Sequence, residues 1–354
     1  MLLDPETLDL SPTAPKLLDR LQGDPRFKSE LPVSQVEIIT PPTQSASEAV
    51  GTLARGRRDL AHAADGLARP AVAGVHPFSP ATGELVSTDR YEHIRAEYGE
   101  IARRQLVASL QVHVAVGNAS RTLGVYNALR EYLPEIAALA ANAAIYEGRD
   151  SGLASVRPKI AEMLPRQGIP PTIASWDDLA EEFRWGAAAG VVRDPRLWWW
   201  ELRPHTEFGT LEIRVADAQT SLADASGMVG FIHCLVDWLS DRHDAGEGAA
   251  AVPSWRIEEN RWSAARYGVA GRMADLETGK PKPTRERLHD LLSELRPVAR
   301  RLGCDALLAN ASRLVEANGA MRQRELFESV GAVPLTAALA ERFLDDRDGL
   351  EAQT

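Results

Sequence analysis

Three stretches of the chain, 34-SQVEIIT-40, 109-SLQVHVAVGN-118 and 209-GTLEIRVAD-217, alternate apolar and polar side chains with the two-residue period of a β-strand. In the second, Leu110, Val112, Val114 and Val116 point one way and Ser109, Gln111, His113 and Ala115 the other. In the third, Leu211, Ile213 and Val215 oppose Thr210, Glu212 and Arg214. In the first, Val36 and Ile38 oppose Gln35, Glu37 and Ile39, and Pro41 and Pro42 end the strand because proline cannot donate to a ladder. Such strands have one face to bury and one to keep polar, which calls for a sheet covered by helices on one side.

The sequence supplies those helices. Residues 45–67 open with a capping box, Ser45 followed by Glu48, and run on as an Ala/Leu/Arg helix. Helical periodicity returns at 91–104, at 120–145 with Pro134 as a kink or break, at 218–242, at 253–268, at 282–302 and in shorter pieces to the end. A short strand is expected at 69–78 and a polar loop at 147–157. Strands early and in the middle, followed by a helical tail, predict an α+β fold with an antiparallel or mixed sheet. The Gly/Ala/Pro segment 243–253 is the linker candidate. It would separate a sheet-and-helix core, 1–245, from a helical C-terminal part, 246–354, packed on the same domain.

Composition narrows the partners. The 354 residues carry a formal charge of −10 and no long basic run, which disfavours nucleic acid and an acidic membrane surface and leaves small metabolites. The two cysteines, Cys234 and Cys304, each fall in a helical-looking stretch, so buried thiols in a reducing compartment are expected, with neither a disulfide framework nor a thiolate zinc site. No run is read as approaching the ~18 apolar residues of a membrane helix, and the N-terminus lacks the order of a signal peptide. The expected location is cytoplasmic.

If the three alternating strands share one sheet, its polar face collects Glu37, Gln111, His113, Glu212 and Arg214. Two carboxylates and an imidazole suit a hard divalent cation such as Mg²⁺ or Mn²⁺. An arginine two residues beyond a metal carboxylate can grip a phosphate held by that metal. Plainer readings stand beside this one. Strand faces rich in Glu, Arg and Gln are commonly just solvated, and a strand histidine is often a hydrogen-bonded structural residue. The run Trp198, Trp199, Trp200 fits core and ring-edge packing better than base stacking, because no basic track accompanies it. The turn 147-EGRDSG-152 has a conformational explanation, and neither GxxxxGKS/T nor GxGxxG occurs between a strand and a helix.

Taken in order and spacing, 35-QVEIITPP-42, HPF at 76–78, 104-RQLVASLQVHVAVGN-118, 142-NAAIYEGRDSGLASVR-157, 199-WWELRP-204, 209-GTLEIRVAD-217 and 259-ENRWSAARYG-268 resemble the bacterial carboxylate–amine ligases of glutamate–cysteine ligase type 2. The resemblance covers nearly the whole chain. It implies a glutamine-synthetase-like fold, a curved and mainly antiparallel sheet whose concave face takes ATP and divalent metal. It also implies a reaction in which a carboxylate is phosphorylated by ATP and an amine then displaces phosphate. By resemblance, Glu37, His113 and Glu212 match metal positions, with Glu30 a weaker match. Arg214 matches a phosphate contact, and Arg203 a contact to substrate carboxylate or phosphate. Arg157 and Asp150 fall in a loop that would shape the acceptor pocket, and Gln111 and Arg266 are further substrate or ATP candidates. A homodimer is the expected assembly.

The sequence departs from the family pattern in Gln111, where many relatives have His, in Ala115 for Gly and in Ala143 for Ser. Family members also usually begin with a strand carrying GVEEE before a stretch like LLLDPET, whereas this sequence starts at 1-MLLDPETLDL-10. Two accounts are open: an active ligase whose start has been assigned too late, or a truncated, impaired homologue that binds nucleotide or metal or serves as a scaffold. A metal-dependent hydrolase using the same carboxylates is chemically conceivable but has no motif behind it.

Overall fold

A computed structural model describes residues 1–192, 194–247 and 252–345. The strands are short: β1 (Leu2–Leu3), β2 (Phe27–Ser29), β3 (Val36–Ile38), β4 (Arg69–Pro70), β5 (Val112–Ala115), β6 (Ile145–Tyr146), β7 (Arg149–Asp150), β8 (Leu202–His205) and β9 (Thr210–Ile213). They pair antiparallel, β5–β9–β8 as a three-stranded ladder and β1–β4, β2–β3 and β6–β7 as two-stranded ones. Single backbone contacts join the ladders. Leu2 N–H donates to Ser34 O at 2.8 Å, Ala108 N–H donates to Gly74 O at 2.9 Å, and Val75 bridges Val107.

The strand carrying Glu37 therefore does not lie beside the other two alternating strands, as the sequence pattern suggested. It pairs with β2, a segment the periodicity did not single out. Phe27 joins Val36 and Ile38 in an apolar cluster with Leu2, Leu17 and Leu60, and that burial fixes the pairing.

The helices form as their ends dictate. Ser45 Oγ accepts from Glu48 N–H at 3.1 Å and starts helix Ala46–Ala64, while the Glu48 carboxylate reaches back to Gln44 N–H at 2.9 Å. The expected 91–104 helix breaks at Gly99, whose φ of 57° separates Asp89–Tyr98 from Glu100–Arg103. Pro134 acts as a break: Ala119–Leu129 gives way to a short 3₁₀ turn, and Leu133–Ala140 begins with the proline in its first turn, where a missing N–H costs no hydrogen bond.

Val112, Val114, Leu202, Leu211 and Ile213 pack into the main core with Met228, Phe231, Ile232 and Leu235 of helix Leu222–Asp244. That helix also lies against Asp305–Glu316 at glycines. A Cβ on Gly227 would stand 2.7 Å from Ala311 N, and one on Gly230 2.5 Å from Leu307 Cβ. Contrary to expectation, Leu222–Asp244 is long and apolar enough to cross a membrane by length and composition, but 67% of its most apolar stretch is buried inside the protein. A core helix covered on most sides reads like a span for that reason. Cys234 lies inside this helix, and Cys304, expected inside a helix too, sits at the N-terminal end of Asp305–Glu316. Both thiols are buried, with the sulfurs 3.3 Å apart.

Helix Ser254–Tyr267 packs on Leu133–Ala140, and helix Ala332–Glu341 places Leu335 and Leu339 against Leu3, Ala71 and Ala73. Of the linker candidate 243–253, positions 248–251 lie outside the described residues, and the preceding helix runs on to Asp244.

Candidate active site

Directly opposed residues of antiparallel strands share a face, so the register fixes the site. His113, Glu212 and Arg203 form one row across β5, β9 and β8, and Ala115, Thr210 and His205 form the next toward the β8–β9 turn. Glu212 is the centre, with 1% of its surface exposed. Arg203 Nε donates to its Oε2 at 2.5 Å and Arg214 Nη1 donates to Oε1. Burial works to raise the Glu212 pKa, but the Arg214 charge and the Arg203 hydrogen bond outweigh it and hold the carboxyl down at about 2. Trp198 O accepts a further bond from Arg203 at 2.9 Å. Two of the tryptophans pack on other rings, Trp199 edge-on to Tyr98 at 5.7 Å and Trp198 tilted against Phe183 at 4.5 Å between ring centres.

His113 Nδ1 lies 3.0 Å from Thr210 Oγ1, and Nε2 lies 3.9 Å from Glu212 Oε1. Burial lowers the His113 pKa, Glu212 opposes that shift, and His205, Arg214 and Arg203 add to it. The imidazole is thereby held neutral, the form that can bind a metal.

Just past this row the β5–β9 ladder slips. Val112 pairs with Ile213 but Ser109 bridges Asp217, so three steps on one strand meet four on the other and Gln111 faces both Arg214 and Val215. This is a β-bulge, which bends the sheet and re-aims a side chain. The alternation alone gave no sign of it.

Glu37 reaches the same cluster from β3. Burial raises its pKa first, the like charge of Glu30 adds to that, Arg214 and Lys28 pull it back, and Glu212 raises it again, with a net result of about 7. Glu30, directly after β2, is thus an electrostatic neighbour of Glu37, and its own carboxylate accepts Leu31 N–H at 3.3 Å. Sequence reasoning collected Glu37, Gln111, His113, Glu212 and Arg214 on one face of a single sheet; two separate ladders instead bring Glu37 to Glu212 and Arg214, Gln111 lies beside the bulge, and Arg203, which the resemblance supplied, joins the Glu212 row. Among the described residues, no three His, Cys, Asp or Glu side chains converge as a ready-made metal cage, and both oxygens of Glu212 accept from guanidinium groups. The donor set still suits a hard cation, being carboxylate oxygens and one imidazole with enough crowded negative charge to push Glu37 toward protonation.

The remaining candidates lie elsewhere. Arg157, expected at an acceptor pocket, is 6% exposed; its Nε donates to Asp217 Oδ1 at 2.6 Å and Nη2 donates to Val215 O, behind the bulge. A guanidinium so enclosed braces the sheet. Asp150 is exposed in the β6–β7 hairpin and accepts from Arg324 Nε at 3.0 Å, while Arg266 Nη1 donates to Gly152 O in the adjoining loop. These two therefore meet the 147–157 loop and not the Glu212 cluster. Gln111 stays half-buried beside the bulge.

Sequence reading missed the aromatic end of the face. His205 and Phe208 stack with centroids 4.2 Å apart and planes inclined by 13°, and His113 lies edge-on to both at 5.2 and 5.7 Å. The two-residue step from Arg203 to His205 was the available signal, since it puts both on one strand face.

Comparison with solved structures gives the fold. The fold matches a glutamate–cysteine ligase from Francisella tularensis in complex with AMP, with a TM-score of 0.65 and 12% identity over 91% of this chain and 83% of that one. It also matches a bifunctional glutathione synthetase from Pasteurella multocida, with a TM-score of 0.56 and 15% identity over 90% of this chain and 47% of that one. The fold is glutamine-synthetase-like, as the resemblance implied.

Sequence comparison gives the family. The family model for glutamate-cysteine ligase family 2 matches residues 4–340. A Rubrobacter xylanophilus protein named "Putative glutamate--cysteine ligase 2-3" is 34% identical over 338 residues, 94% of this chain and 91% of that protein. A Thermobifida fusca protein named "Putative glutamate--cysteine ligase 2" is 32% identical over 352 residues, 97% of this chain and 88% of that protein. The chain belongs to glutamate-cysteine ligase family 2.

Proposed function

We propose that the protein is an ATP-dependent carboxylate–amine ligase that works through an acyl phosphate. The observation that carries this reading is Glu212 held between Arg203 and Arg214, with His113 opposite it on the polar sheet face and Glu37, itself beside Glu30, in electrostatic reach. Two arginines beside clustered carboxylates suit a triphosphate that brings its own counter-cation. Glu37, Glu212, Glu30 and His113 would hold Mg²⁺ or Mn²⁺, which when bound neutralises phosphate charge.

In the first step a substrate carboxylate oxygen attacks the γ-phosphorus of ATP, forming the acyl phosphate and releasing ADP. In the second, an amine nitrogen attacks the acyl carbon, loses a proton to become the amide, and expels phosphate as the C–O bond breaks. Arg214 and Arg203 stabilise the transferring phosphoryl group, so the protein contributes mainly positioning and electrostatics. Glutamate and cysteine are the first acid and amine to try. The test is ADP release from Mg·ATP with glutamate and a panel of amines including cysteine. Acceptor-dependent release supports the reading, and its absence across acids and amines removes it.

A further inference from the structure

The turn joining β8 and β9 carries a large apolar ring in the open. Phe208 is 64% exposed, yet its backbone is fixed: its N–H donates to His205 Nδ1 at 3.3 Å, and Gly209 N–H donates to His205 O at 2.9 Å. Gly209, at φ 64°, closes the turn in the left-handed region. One face of the Phe208 ring is covered by His205, and among the described residues no second ring stacks on it. His205 in turn neighbours Arg203 by one strand alternation, a step of about 7 Å at the usual rise per residue. The exposed ring therefore stands at the hairpin end of the face whose middle row is His113, Glu212 and Arg203.

We propose that Phe208, backed by His205, is the stacking platform for the base of a nucleoside triphosphate whose phosphates lie at Arg203 and Arg214. This rests on the proposed function and adds to it the element that distinguishes a nucleotide from a bare polyphosphate. Stacking needs only a flat π-face, so this platform favours nucleotides over inorganic chains with little choice among bases. Thr210 Oγ1, bonded to His113 Nδ1, lies on the same face between ring and phosphate site and fixes the imidazole edge that the ring cluster packs against.

The test is calorimetric binding of Mg·ATP and of Mg·tripolyphosphate to the full chain as wild type, Phe208→Ala and Phe208→Trp. The expected result is that Phe208→Ala weakens ATP about tenfold or more, leaves tripolyphosphate unchanged, and that Phe208→Trp restores ATP. Unchanged tripolyphosphate binding also reports an intact fold. Equal ATP affinity in Phe208→Ala and wild type overturns the platform while leaving the phosphate site standing. If wild type binds neither ligand, the proposed function falls and takes this inference with it.

Discussion

His113 and Glu212 are directly opposed across the β5–β9 ladder, yet His113 Nε2 stands 3.9 Å from Glu212 Oε1, beyond hydrogen-bonding range. What holds the Glu212 carboxylate is the arginine pair and not the imidazole. Glu37, by contrast, is half-buried beside like charge. The two glutamates should therefore respond differently to removal. Glu37→Ala is expected to lower Mg²⁺-dependent ATP turnover by about 10²-fold or more without loss of stability. Glu212→Ala is expected to lose turnover and also about 3–5 kcal/mol, because two guanidinium groups are left without their counter-charge. Turnover assays with urea denaturation check both, and wild-type turnover in either variant removes it from the site.

Arg214→Lys should behave as a severe loss despite keeping the charge. Arg214 is placed at the bulge, contacts Glu212 through one terminal nitrogen, and has side-chain exposure of only 19%. Lysine cannot present a planar fork to two oxygens at once. A fall in kcat of about 10²–10³-fold is expected. Unchanged kinetics would move the phosphate contact to another residue.

Arg157 should prove a structural residue. Its partner Asp217 also accepts from Ser155 Oγ at 2.9 Å and from Asn142 N–H at 2.7 Å, so the carboxylate ties three segments together. Removing the guanidinium leaves a buried carboxylate short of its cation. Arg157→Ala is expected to cost about 3–5 kcal/mol in denaturant unfolding. The exposed Arg324–Asp150 pair should be worth at most about 1 kcal/mol in the same measurement. A stable Arg157→Ala protein altered only in KM would return Arg157 to the substrate.

These contrasts mark what the sequence could carry. The capping box at Ser45, the break at Pro134 and the alternation of β5 and β9 are local signals, and each appears in the fold. The pairing of β3 with β2 depends on Phe27 meeting a distant apolar cluster, which no local window contains. The bulge at Arg214 and Val215 depends on the partner strand's register, which alternation within one strand cannot encode. Arg157 and Arg214 are equally charged in sequence. Burial against Asp217 separates their environments, and only the folded chain shows it.

His76 supplies a pH dependence that does not involve the site. Its Nδ1 accepts from Ser79 N–H at 2.9 Å and Phe78 N–H at 3.2 Å, so Nε2 carries the proton and donates to Leu8 O at 2.9 Å. Burial lowers its pKa from 6.5 to about 4, against the opposing pull of the Leu8 carbonyl and Asp9. The unfolded chain therefore binds a proton between those two values that the native protein refuses. Stability from this residue is fully present above pH 6.5 and falls by about 3 kcal/mol as pH drops to about 4. His76→Gln keeps a donor for Leu8 O but does not titrate. Urea midpoints at pH 7 and pH 4.5 should thus show a steeper loss in wild type than in His76→Gln. Parallel losses would mean that His76 is protonated in the native state over this range.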